Sequence, residues 1–171
     1  MESILSTKLP KRYYVYGETG TGKSLFTRVL ANKLKTAVYK KSPSGYWNGY
    51  KGEKLVVIDD MTREDWEYIK HNLKKWLDYE TFVSSPLRDR LTKDELKPGD
   101  PIDPSKYTLV ITSYKPLSEF LEQERAKDAE KGEKGLNDRD VQKIERLLEV
   151  HQMVHTDIGE IGADIEKILE E

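Results

Sequence analysis

Residues 17–24 read Gly17-Glu18-Thr19-Gly20-Thr21-Gly22-Lys23-Ser24, directly after the aromatic and β-branched run Tyr13-Tyr14-Val15-Tyr16. Three glycines in eight residues are more than a turn requires. Upstream, Arg12–Tyr16 has the composition of a strand. Downstream, Leu25, Phe26, Val29, Leu30 and Leu34 recur at helical spacing, which predicts a helix over residues 23–34. Glycines between a strand and a helix let the backbone wrap so that successive N–H groups point inward. With the helix N-terminus these form an anion cradle. Lys23 adds a full charge for the β and γ phosphates of a nucleotide, and Ser24 offers a hydroxyl to Mg²⁺. The pattern G-x-x-x-x-G-K-[ST] is met in full by Gly17, Gly22, Lys23 and Ser24. The expected nucleotide contacts are therefore Gly17, Glu18, Thr19, Gly20, Thr21, Gly22, Lys23, Ser24 and Leu25. The expected ligands are ATP and Mg²⁺.

A phosphate cradle needs an acidic partner for the metal. Lys54-Leu55-Val56-Val57-Ile58-Asp59-Asp60 supplies one. Four consecutive apolar residues read as a strand buried on both faces of a parallel sheet. Two carboxylates follow at its C-terminal end, where ligands bind in open α/β sheets. Asp59 is expected to hold Mg²⁺ and Asp60 to polarise the attacking water. The alternative use of the pair is as a cap for the helix that starts near Thr62. A third strand is expected over Lys106–Ser113, also with a polar end. In a P-loop ATPase with an extra central strand it lies between the other two, and Ser113 or Tyr114 then faces the γ-phosphate. The fold class expected is α/β: a P-loop NTPase of the AAA+-like type, with a central parallel sheet flanked by helices and C-terminal helices.

At 171 residues the chain is long enough for a single domain with its own core. It has no cysteine, which excludes disulfides, thiol catalysis and thiolate zinc sites. No apolar run approaches a membrane span, and the start shows no signal-peptide pattern. The expectation is an intracellular protein with no membrane partner. Charge is uneven. Residues 1–58 carry 11 Lys/Arg against 3 Asp/Glu, whereas residues 116–171 carry 8 against 16. A basic part beside an acidic one suits a polyanion partner, head-to-tail contact between copies, or a merely solvated surface.

Elsewhere the sequence says less. Trp66, Tyr68 and Trp76 lie with Ile69 and Leu73 on an expected helix from Arg63 to Asp78 and read as core. Tyr46 and Trp47 fit either packing or contact with a nucleic-acid base. Ile158, Ile161, Ile165 and Leu169 recur at spacings of three and four. They predict an acidic amphipathic helix that docks on its own body or on a neighbour. The division drawn is residues 1–150 for the ATPase and 151–171 for this helix.

Three stretches together resemble the superfamily-three helicase domain of replication-initiator proteins from small circular single-stranded DNA viruses, circoviruses in particular, and related plasmids. They are GETGTGKS, SGYWNGYKGEKLVVIDDM (residues 44–61) and YTLVITSY (residues 107–114). The resemblance covers roughly residues 10–150. It implies an ATP-driven helicase on single-stranded DNA, assembled as a ring (a hexamer) with ATP between neighbours. An arginine then reaches the site in trans; Arg146 matches that place, with Arg139 as runner-up. Lys23, Asp60, Tyr114 and Arg146 are the expected catalytic set, with Ser24 and Asp59 on the metal. Two positions depart from the family. Tyr114 stands where the family has Asn. The lysine–glycine pair of its DNA-gripping hairpin is missing, with Arg88, Arg90, Lys93 and Lys97 as substitutes if that segment is not simply a solvated loop. The family also carries a nicking endonuclease domain before the helicase, and nothing here matches its histidine pair and tyrosine. The chain is a fragment, or works without that half. The location implied is the host nucleus for a viral protein and the cytoplasm for a plasmid one. Two other classes fit the P-loop: an ATPase that loads or remodels another protein without unwinding DNA and, more weakly, a nucleoside or small-molecule kinase.

Overall fold

Strand β1 (Arg12–Tyr16) forms where the aromatic run demands it and pairs on both sides. It leads through the glycine loop into α1 (Lys23–Leu34). Short β2 (Val38–Lys40) follows, then β3 (Leu55–Met61), α2 (Arg63–Leu77) and a two-strand ribbon of β4 (Phe82–Val83) and β5 (Pro101–Ile102). A 3₁₀ turn at Pro104–Lys106 precedes β6 (Thr108–Ser113). The chain then runs through α3 (Leu117–Ala126), α4 (Asp138–Leu147), β7 (Glu149–Gln152) and α5 (Ile158–Glu170). This computed structural model describes residues 9–83, 101–127 and 135–170.

The main sheet has five strands in the order β2-β3-β6-β1-β7, all parallel. This is an α/β P-loop NTPase fold, with β6 inserted between the P-loop strand and the acid-pair strand. The C-terminal ends of β1, β3 and β6 lie side by side, so the glycine loop and the two aspartates meet at one edge.

Because both faces are covered, alternate residues of each strand enter different cores. Tyr13, Val15, Leu55, Val57 and Val110 face α1 and α5, among Phe26, Leu30, Ile161 and Ile165. Tyr14, Val56, Ile58, Leu109 and Ile111 face α2, α3 and α4, among Trp66, Leu73, Phe120 and Ile144. The C-terminal helix thus docks on the body of this chain, and the division at residue 150 falls inside β7. Its buried face is Ile161, Ile165 and Ile168, while Ile158 is 77% exposed. Trp66 and Trp76 are core as expected, but Tyr68 points to solvent at 64% exposure. Trp47 is buried and stacks near-parallel on Tyr39, with Trp76, Phe82 and Tyr107 around it. Trp47 is therefore a packing residue, while its neighbour Tyr46 is 38% exposed.

Capping fixes α2. The Thr62 hydroxyl accepts from the Asp65 N–H at 3.1 Å, and the Asp65 carboxylate accepts from the Thr62 N–H at 3.0 Å. This reciprocal box satisfies two otherwise orphaned donors. Buried Arg12 binds the other end of α2. Its guanidinium donates to the carbonyls of Leu77 (3.0 Å), Asp78 (3.3 Å) and Pro104 (2.7 Å), and to that of Tyr107. The rings of Tyr79 and Tyr107 cover its planar face.

Lys41 is a second buried cation. Its ammonium lies 4.6 Å from the Trp76 ring centre and donates to the carbonyls of Ser42 and Ser44. Burial pushes its pKa from 10.5 down to about 7. Between those values the unfolded chain holds a proton that the folded chain does not, so stability rises with pH. Above about 10 the sign reverses, because burial raises tyrosines such as Tyr50 to about 12 and the unfolded chain loses those protons first. Chemical denaturation from pH 7 to 10 is therefore expected to show rising stability, and Lys41→Met should flatten that rise. An unchanged slope in the variant would place the titrating group elsewhere.

Candidate functional site

The glycine loop joins β1 to α1 with Gly20 and Gly22 in left-handed backbone, at φ 85° and 96°. Gly22 caps α1 and carries no side chain to satisfy the first-turn N–H groups, and no acidic residue stands in that turn. The positive end of the helix thus faces outward with free donors, the arrangement that suits a phosphate. Lys23 folds its ammonium back onto the loop carbonyls of Gly17 (2.5 Å) and Glu18 (3.1 Å). The Thr21 hydroxyl also donates to the Glu18 carbonyl, at 2.7 Å, and Thr21 is buried.

The three glycines are needed for different reasons. A Cβ on Gly17 would stand 2.3 Å from the Met153 carbonyl oxygen. One on Gly22 would stand 2.2 Å from Ile161 Cγ2. Gly20 has open space, and only its backbone angle calls for glycine. The chain after β7 therefore presses on the phosphate loop at two points.

A cleft of about 480 Å³ opens beside the loop, lined by Thr19, Gly20, Gly22, Lys23, Ser24 and Leu25 together with Arg28, Asp60, Thr156, Ile158 and Ile161. Of the nine expected nucleotide contacts, six line it. Gly17 and Thr21 lie beneath it and shape the loop, and Glu18 is exposed beside it. The donor set fits a nucleoside triphosphate with Mg²⁺: helix N–H groups and an ammonium for phosphates, a hydroxyl and a carboxylate for the metal, although of the two aspartates it is Asp60 and not the expected metal ligand Asp59 that lines the cleft. Leu25, Ile158 and Ile161 form an apolar wall suited to a flat base.

The acid pair sits on a bulge. Ile58 pairs with Ile111 and Met61 with Ser113, so β3 has one more residue than β6 across this interval. Asp60 adopts φ 51° and lines the cleft. Asp59 accepts a hydrogen bond from the Thr112 hydroxyl at 2.7 Å. The pair is not the cap of α2, since Thr62 fills that role.

Other expected site residues lie elsewhere. Ser113 is fully buried, and its hydroxyl donates to the Met61 carbonyl at 2.9 Å. Tyr114 is 64% exposed and does not line the cleft. Arg146 lies in the last turn of α4 and borders an open groove with Lys11, Arg12, Tyr79 and Glu149. That groove lies where β1 and β7 begin, a strand length (roughly 15 Å) from the phosphate loop, so Arg146 does not reach the cleft of its own chain. Arg88, Arg90, Lys93 and Lys97 lie outside the described residues. Sequence reasoning missed Thr112, Arg28 and Thr156. Thr112 had a signal, a hydroxyl within an otherwise aliphatic strand end; the other two had none.

A family model described as RNA helicase matches residues 13–82. That span runs from β1 to β4 and contains the phosphate loop and the acid pair. The genome polyprotein of Human hepatitis A virus genotype IIA (isolate CF-53) is 39% identical over 66 residues, covering 31% of this chain and 3% of the polyprotein. The polyproteins of genotype IB (isolate HM175) and genotype IIIA (isolate NOR-21) match to the same extent. The chain thus corresponds to a small part of these relatives. The matches support a helicase-type nucleotide-binding domain and do not bear on the narrower likeness to replication initiators of circular DNA viruses.

The glycine geometry gives a ranking. Gly17→Ala forces Cβ against backbone and should cost more stability than Gly20→Ala, which meets only the left-handed penalty of about 1–2 kcal/mol. Thermal unfolding of the two variants checks the order; equal losses would mean that the Met153 carbonyl does not confine Gly17.

Proposed function

We propose that this chain is the ATP-hydrolysing core of a helicase that moves along a nucleic-acid strand. The observation that carries the reading is the meeting of the Lys23–Ser24 helix start with Asp60 across one cleft, at the C-terminal edge of a sheet with β6 inserted. Helix N–H groups and Lys23 hold the phosphates. Ser24 and Asp59 would hold Mg²⁺, which offsets phosphate charge when bound. Asp60, at the cleft surface, is placed to orient a water for attack on the γ-phosphate. Arg146, turned away from its own cleft, suits completion of a neighbour's site in a ring, and the basic and acidic parts of the chain suit head-to-tail contact.

The narrower form of the proposal is a replication helicase acting on single-stranded DNA, with Arg88, Arg90, Lys93 and Lys97 as the grip. A second reading takes RNA as the strand; the description of the matching family model favours it. A protein-remodelling ATPase would hydrolyse ATP without responding to either strand.

Steady-state ATP hydrolysis with Mg²⁺, measured alone and with DNA or RNA of one sequence, separates these readings. Stimulation by one strand is expected. Lys23→Ala should lower turnover by about 100-fold or more, the scale for losing a charge-stabilising group. Arg146→Ala protein should be inactive alone and regain part of the activity when mixed with Lys23→Ala protein. Wild-type rates in the Lys23 variant would sink the active-site assignment.

A further inference from the structure

Strand β6 ends in Thr112 and Ser113, with Tyr114 just beyond it, and the three hydroxyls point in different directions. Tyr114 is exposed, away from the cleft. The Ser113 hydroxyl is buried and donates to the Met61 carbonyl. Thr112 is also fully buried. Its Oγ1 donates to Asp59 Oδ1 at 2.7 Å and accepts the Asp60 N–H at 2.8 Å. A hydroxyl has one proton to give. That proton is committed to Asp59, so Thr112 has none left for a phosphate oxygen or an attacking water.

The two bonds span the bulge. One fixes the direction of the Asp59 carboxylate. The other ties the backbone of Asp60, a residue held at φ 51°. Left-handed backbone is disfavoured for a residue with a Cβ and persists where the surroundings impose it. The surroundings here are the extra residue in β3 and the Thr112 oxygen. The side chain of Asp60 reaches the cleft only through that turn.

We propose that Thr112 is the positioning residue of the acid pair: its hydroxyl aims Asp59 and holds Asp60 in the turn that delivers its carboxylate to the cleft. The polar end of β6 thus acts on the aspartates and not on the substrate. This rests on the reading of the cleft as a nucleotide-hydrolysing site. Partners that orient metal-facing carboxylates are worth about 10–100-fold in metal affinity or activity.

Thr112→Val removes the hydroxyl and keeps the shape; Thr112→Ser keeps the hydroxyl. Two measurements are made on each and on wild type. The first is kcat for ATP. The second needs no turnover: the Mg²⁺ concentration that gives half of the rise in melting temperature with a non-hydrolysable ATP analogue. Thr112→Val is expected to lower kcat by about 10–100-fold and to raise the Mg²⁺ requirement about 10-fold. Its affinity for the analogue in EDTA should stay at the wild-type value, because the phosphate loop is untouched. Thr112→Ser should stay within about 3-fold of wild type in both. If Thr112→Val does not fold, Thr112→Cys carries the test, since its thiol is only a weak donor; it should fall in the direction set for valine. A valine variant equal to wild type, or a serine variant as impaired as valine, overturns the role of Thr112. A wild-type protein that neither binds the analogue nor hydrolyses ATP overturns instead the nucleotide reading beneath it.

Discussion

The cleft takes its dimensions from the hydrogen bonds at the end of β6. The Ser113 carbonyl accepts the Gly17 N–H at 3.1 Å and so sets where the phosphate loop leaves the sheet. The Ser113 hydroxyl meets the Met61 carbonyl, and the Thr112 hydroxyl meets both aspartates. One strand end therefore touches the loop on one side and the acid pair on the other. These bonds are short-range and largely shielded from water, where polar contacts are stronger and less forgiving of displacement. Inserting β6 between β1 and β3 is what makes this possible. With β1 and β3 adjacent, the loop and the acids would meet without a shared reference.

Below that edge, the two faces of the sheet are built differently. The face under α1 and α5 is aliphatic apart from Tyr13 and Phe26, which meet edge to face. The other face holds the tryptophans and most of the buried tyrosines, and it admits buried charge. Lys70 and Glu124, each with a side chain 1% exposed, pair at 3.0 Å, and Trp66 Nε1 and the Leu136 N–H also donate to Glu124. A buried pair of this kind adds little against an apolar alternative, yet losing one member is costly. It ties α2, α3 and the segment before α4 into one arrangement. Arg12 does the same for the other end of α2, through four carbonyls that no apolar residue could satisfy.

Much of this was legible from local pattern. The glycine loop, β1, α1, β3 and α2 stood out because each has a strong period or a fixed spacing, and α1 and α2 match their expected ranges almost residue for residue. Strands β2 and β7 were not legible. They are three and four residues long, and β7, with Glu149 and His151 alternating with Val150 and Gln152, lacks an apolar run. Only their place beside β3 and β1 makes them strands. Tyr68 and Ile158 misled for a related reason. Each obeys a helical spacing yet falls at the margin of a buried stripe. At the site, residue types carried the loop and the acids. The bulge that sets Asp60 at the cleft and Asp59 against Thr112 depends on a neighbouring strand, and no spacing within β3 reveals it.

The contact of Gly17 and Gly22 with Met153 and Ile161 has a consequence for how the molecule is made. Pairing β7 with β1 joins residues far apart in sequence, a contact that forms late because loop closure must come first. Until then, one side of β1 is bare and the phosphate loop lacks the two neighbours that confine it. A ribosome-bound chain with the loop already synthesised does not yet have a finished cleft. The phosphate loop is encoded early and completed late, and a chain cut short before Ile161 would carry the motif intact without one wall of the site.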